Sequence, residues 1–237
     1  MSIDLSVVAV FLLVLARTSA WVMTAPLFSS KGIAGTARLA MAIGLSLFLA
    51  PLATKAAPPS DPIAFAGVAL GQVLIGLGLG WITGLFFSVF EMAGSMIDAS
   101  SGMAIASQLD PVSGNQNAVY ARFTNVLFMT LLVVTNAHLT LVAGFVRSFS
   151  AVPADQFPVL SAGSAGMAGR AVAELMVAAL EIAAPVLGAL FLTEVALALA
   201  ARFAPQANVF AVGLPLKMLV SLLAMGTALV LLPSRVP

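Results

Sequence analysis

The chain has no cysteine, one histidine and one tyrosine, and only 8% of its 237 residues are charged. Without thiols there are no disulfides, no thiolate metal sites and no cysteine nucleophiles. The sole histidine, His138, leaves too few ligands for a usual zinc centre, so no metal is expected. With no second histidine and no serine at a glycine-flanked turn beside it, an intramembrane hydrolase lacks its partners. A formal net charge of +1 provides no basic stripe to meet phosphates, which excludes nucleic acid as a partner. Gly76-Leu77-Gly78-Leu79-Gly80 has no lysine and no helix-start context, so it is not a phosphate loop. Neither an enzyme nor a cofactor finds support in these residues.

What is present is apolar. Hydrophobic residues make up 61% of the chain and mean hydropathy is +1.12, whereas a soluble domain carries about 25% charged residues. The fold class expected is all-α, a polytopic membrane-associated protein with about six hydrophobic segments. These run over residues 5–28, 39–54, 63–90, 123–145, 171–201 and 209–232. All but the short second one approach or exceed the roughly 17–25 residues of a spanning helix. The first segment also resembles a secretory signal, but no Lys or Arg precedes it and Asp4 does, which favours a retained helix. No connection is long enough to mark a second domain. Lys31, Arg38, Lys55, Arg147 and Arg170 do not sort between alternate loops, so the positive-inside signal is weak.

The third segment carries glycines at Gly67, Gly71, Gly76, Gly80 and Gly84, four apart except for one step of five. This spacing predicts a helix face without side chains, a seam where another backbone approaches closely. In the fifth, Glu174 and Glu181 lie seven apart on nearly one face, and Pro185 frees the carbonyl of Glu181. Two readings stand for these carboxylates. They couple transport to ions or protons, or they face water or pair with neighbouring subunits. Asn136 and His138 interrupt the fourth segment, where a hydrogen-bonded helix–helix contact is expected.

From Asp98 to Gln116 the composition changes to Ser, Gly, Asn, Asp and Pro, residues that favour turns. Irregular backbone does not face lipid; at membrane depth it survives only inside protein or beside a watery cavity. The stretch is therefore either an ordinary exposed loop or the lining and plug of a conduit. Asp98 and Asp110 at its flanks read as turn chemistry.

Several pieces resemble one family. The run Glu91-Met92-Ala93-Gly94-Ser95-Met96-Ile97-Asp98, followed by Leu109-Asp110-Pro111-Val112-Ser113-Gly114, is similar to the acidic-glycine helix and DPxSG-like loop of the FliR family of type III secretion export-apparatus proteins. Asn136-Ala137-His138-Leu139 resembles that family's asparagine-glycine-histidine-leucine element. Leu15-Ala16-Arg17, Ala25-Pro26-Leu27-Phe28, Lys31-Gly32-Ile33, Arg202-Phe203-Ala204-Pro205-Gln206 and Val212-Gly213-Leu214-Pro215-Leu216 follow in the right order.

The resemblance implies one export-gate subunit over residues 1–237, with a FliP-like part over about 1–160 and a FliQ-like C-terminal hairpin over about 170–237. It implies helical hairpins packed in a helical hetero-oligomer with FliP-like and FliQ-like subunits, working with FlhB and FlhA. The location implied is the cytoplasmic membrane at the flagellar basal body, in contact with lipid, with unfolded export substrates in transit. It also implies a loop that projects into the channel and plugs it, with Gly102, Met103, Ile105, Leu109, Asp110, Pro111 and Gly114 as its residues. Family members often place phenylalanines there, whereas Met103, Ile105 and Leu109 give an apolar plug, able to close a channel by dewetting. The equivalent subunit of a virulence injectisome is the sister reading, and a small-solute or ion transporter using Glu174 and Glu181 the alternative from another class.

Overall fold

A computed structural model of the chain describes residues 5–29, 33–53, 57–103, 119–157, 162–203 and 209–231. Among them are helices α1 (Leu5–Thr24), α2 (Pro26–Ser29), α3 (Gly35–Leu49), α4 (Pro62–Ser101), α5 (Val119–Val134), α6 (Ala137–Ala151), α7 (Ala162–Phe203) and α8 (Val209–Leu231), with a 3-10 turn at Ala50–Ala53 and no strand. Helices α1, α4 and Gly166–Phe203 have the length and hydropathy to cross a membrane, and the bent pair α5 and α6 makes a fourth candidate. At about 1.5 Å per residue, α4 with its 40 residues is roughly 60 Å long, twice a ~30 Å hydrocarbon core.

Local chemistry sets the boundaries. Asp61 Oδ2 accepts the Ala64 N–H at 3.0 Å and Pro62 occupies the first helical position, so α4 starts with a capping carboxylate and a residue that has no N–H to lose. It stops at Gly102, whose φ of +85° is the left-handed conformation that ends many helices. The polar stretch expected from Asp98 thus begins later, because Asp98 to Ser101 complete the last turn of α4. The apolar run over 123–145 is not one helix either. Asn136 adopts φ 58°, which its short polar side chain tolerates, and the helices on either side meet at 77°.

The chain divides into two compact units, Met1–Phe87 with Met129–Gly169 and Ser88–Phe128 with Arg170–Pro237. In the first, α1 presents Val10, Leu13, Val14, Trp21 and Val22 to a core shared with Ala42 and Leu49 of α3 and Phe145 of α6. Trp21 stacks on Phe145 at 4.2 Å and meets Phe28 edge-on at 5.3 Å.

Arg17, wholly buried, lies at the centre of that unit. Its Nε donates to Gln72 Oε1 at 2.7 Å, Nη1 to Ser148 Oγ at 3.3 Å and Nη2 to the Val152 carbonyl at 2.8 Å. The Phe149 ring covers it 4.2 Å away. Gln72, also fully buried, passes its other end to the Gln156 carbonyl at 3.0 Å. A planar fork with five donors suits three acceptors in different directions; a point-charge amine does not.

The glycine seam of α4 faces α1 of the same chain. A Cβ at Gly76 would run into the Arg17 carbonyl oxygen and lie 2.8 Å from Ala20 Cβ, and one at Gly80 would run into the Thr24 hydroxyl. Gly71 is buried, Gly84 would make ordinary contact with Pro26 at 3.8 Å, and Gly67 has open space around it. The closest approaches to α1 are at Gly76 and Gly80.

Candidate functional site

The second unit holds the residues on either side of segment 104–118, which are its base. Asp98, only 1% exposed, accepts the backbone N–H of Tyr120 on one carboxylate oxygen at 3.1 Å and that of Ala121 on the other at 2.9 Å. The first N–H groups of a helix have no partner within it, and the last turn of α4 supplies acceptors for two of those of α5. Beside this bridge Gly94 lets the helices touch, since a Cβ there would lie 2.6 Å from the Ala121 nitrogen. Thr124 Oγ1 donates to the Phe90 carbonyl at 2.8 Å, and Phe90 stacks on Phe128 at 3.8 Å. Residues 103 and 119, which border the segment between the two helices, are therefore held on a fixed helix pair.

Helix α8 runs beneath that base. The Tyr120 hydroxyl donates to the Met218 carbonyl at 3.4 Å and makes a short hydrogen bond with Ser221 Oγ. Met103, Val119, Tyr120, Phe123, Met218, Leu222 and Met225 line an apolar pocket of about 190 Å³. A wider cleft of about 590 Å³ lies on the Gly102 side, where Ala99, Ser100 and Gly102 face Leu197, Ala198 and Ala201 of α7 and Gly213 and Leu214 of α8. Lys217 Nζ donates to Glu194 Oε1 at 2.6 Å on its wall.

Of the residues expected at the plug, Gly102 and Met103 belong to this base, while Ile105, Leu109, Asp110, Pro111 and Gly114 lie outside the described residues. Asn136 forms the corner between α5 and α6, and His138 Nδ1 lies 3.3 Å from the Leu132 carbonyl, a contact across that corner. Glu174, Glu181 and Pro185 are exposed on α7, which runs on through the proline. None of the three lines the cleft, whereas Glu194 does. No group of three or more His, Cys, Asp or Glu able to hold a metal occurs among the described residues.

Sequence reasoning missed the parts that build the base. Asp98 reads as turn chemistry because the N–H donors it accepts from become visible only once α5 is folded beside α4. Gly94 sits in the quoted motif without a role. Tyr120 and Lys217 were findable, as the only tyrosine of the chain and the only charge of its last apolar segment.

A family model described as bacterial export proteins, family 1, matches residues 8–236. The chain belongs to that family. Membership makes it a component of a bacterial export apparatus, built from apolar helices suited to a membrane. It is 36% identical to the flagellar biosynthetic protein FliR of Bacillus subtilis, over 89% of this chain and 82% of that one. With the protein of the same name from Pectobacterium carotovorum identity is 30%, over 92% and 83%. The Yop proteins translocation protein T of Yersinia pestis is 29% identical, over 87% and 80%.

Proposed function

We propose that the chain is a core subunit of the flagellar type III export gate, joining FliP-like and FliQ-like subunits in the conduit that passes unfolded flagellar proteins across the cytoplasmic membrane. The observation that carries this reading is a polar segment whose two ends are both pinned, through Asp98, Gly94 and Tyr120, to apolar helices. Fixed anchor points on both sides of residues 104–118 are what the plug of a passage requires. FlhB and FlhA act beside the assembly, at the flagellar basal body. Residues 1–160 play the FliP-like part, and α7 with α8 forms the FliQ-like hairpin.

Large apolar side chains left bare along α4, among them Leu70, Leu74, Trp81, Ile82 and Phe86, support the need for lipid or partner subunits to cover them. Glu174 and Glu181 serve subunit or solvent contacts and do not couple ions. An injectisome subunit is the second reading, favoured by the Yop and SpaR relatives at 29% identity. Loss of the gene should abolish swimming and the secretion of flagellar subunits; motile cells with a secretion defect confined to virulence substrates would transfer the assignment to the injectisome. Deleting residues 104–116 should leave cells leaky to ions or small solutes. Normal export without leak would end the plug assignment.

A further inference from the structure

Both ends of the central segment lean on one stripe of α8. Leu214, Lys217, Met218 and Ser221 stand at i, i+3, i+4 and i+7, hence on one helix face. Leu214 Cδ2 lies 2.7 Å from where a Cβ of Gly102 would be, at the end of α4. The Met218 carbonyl and Ser221 Oγ hold the Tyr120 hydroxyl, at the start of α5. Lys217 falls between them, and its ammonium crosses to Glu194 on α7. The rest of that seam is small or apolar: Leu197, Ala198, Ala201 and Gly213, with a Cβ on Gly213 reaching to 3.3 Å from Leu197 Cδ1. The hydrophobic effect is non-directional, and small side chains such as these leave shallow ridges that select axial position weakly. A charged pair does, as a polar residue fixes register in a coiled coil.

We infer that the Lys217–Glu194 pair is a positioning element for the central segment, setting the register of α8 on α7 and through Leu214, Met218 and Ser221 the places where both ends of the segment are anchored. It rests on the gate reading for its consequence, since a shifted base misplaces whatever the segment obstructs. Glu194 is 63% exposed and Lys217 17%, so the pair adds a small bias, about 0.2–1 kcal/mol or up to about fivefold, toward one register.

The test uses the full complex, with Lys217→Met, Glu194→Gln, Tyr120→Phe and the exchanged double variant Glu194→Lys/Lys217→Glu. Two readouts are taken: amide exchange of residues 119–123 in the purified assembly, and solute leak in cells beside a strain lacking residues 104–116. Each single variant should raise exchange and leak several-fold, and the exchanged pair should return both toward wild type. Glu194→Gln is isosteric and largely exposed, so it carries the test if Lys217→Met does not assemble, while Tyr120→Phe shows the exchange expected when the anchor itself is lost. Unchanged exchange in all single variants, or singles that the exchanged pair does not rescue, overturns the inference. Raised exchange with no leak even in the deletion strain leaves the anchor standing and removes the plug.

Discussion

Replacing Asp98 tests the clamp at its strongest point. Its two oxygens serve two amides, Tyr120 and Ala121, in residues only 4% and 8% exposed, so water does not readily take their place. Each buried N–H left without an acceptor costs about 1–3 kcal/mol. Asp98→Ala strands both, for roughly 2–6 kcal/mol, above the ~0.5–2 kcal/mol of an ordinary solvent-exposed cap. Asp98→Asn keeps one acceptor, turns an amide donor toward the other N–H, and loses a charge–dipole attraction of about 0.3–1 kcal/mol. Since about 1.4 kcal/mol is a factor of ten in an equilibrium, amide protection at Tyr120 and Ala121 should fall at least about tenfold in the asparagine variant and at least about thirtyfold in the alanine variant. Hydrogen exchange on the detergent-purified assembly measures this residue by residue. Wild-type protection at both amides in Asp98→Ala would refute the reasoning, since the bridge would then carry no energy.

Two more perturbations address the first unit. Gly76→Leu and Gly80→Leu should remove the chain from membranes, because the atoms in the way are the Arg17 backbone and Thr24, while Gly67→Leu points into open space and should accumulate normally, as immunoblots of membrane fractions will show. Arg17→Met leaves the Gln72 and Val152 oxygens without their donor and should cost roughly 2–6 kcal/mol, about 1–3 for each. Arg17→Lys should not restore the wild-type unfolding midpoint, because one ammonium does not reach three acceptors; a midpoint equal to wild type would show that the fork is dispensable.

The helical segments were legible in the residues because hydrophobic runs bounded by Pro, Gly and Ser carry their own punctuation. The glycine register of α4 likewise pointed to a seam. What it did not disclose was the identity of the opposing surface: only the folded α1 shows that Arg17, Ala20 and Thr24 fill it. Asn136 was read as a polar contact and proved a corner, because a left-handed residue is encoded by one backbone angle and not by any periodicity. Asp98 and Lys217 escaped for a common reason: their partners lie 22 or more residues away, and pairing across such distances depends on how helices turn against each other. Glu174 and Glu181, conspicuous in the sequence, stand outside the cleft because the face that packs is the one bearing Ala183, Val186 and Leu190.

The buried arginine also dictates an order of events at birth. Its acceptors are made 55 and 135 residues after it, on chain that does not yet exist when α1 leaves the ribosome. At roughly 5–20 residues per second the nascent helix carries a bare cation for about 7–27 s. A lone Arg in mid-bilayer costs about 2.5–3.5 kcal/mol on insertion scales. Until Gln72 and Val152 are made, α1 therefore lacks the acceptors that offset the cost of burying Arg17.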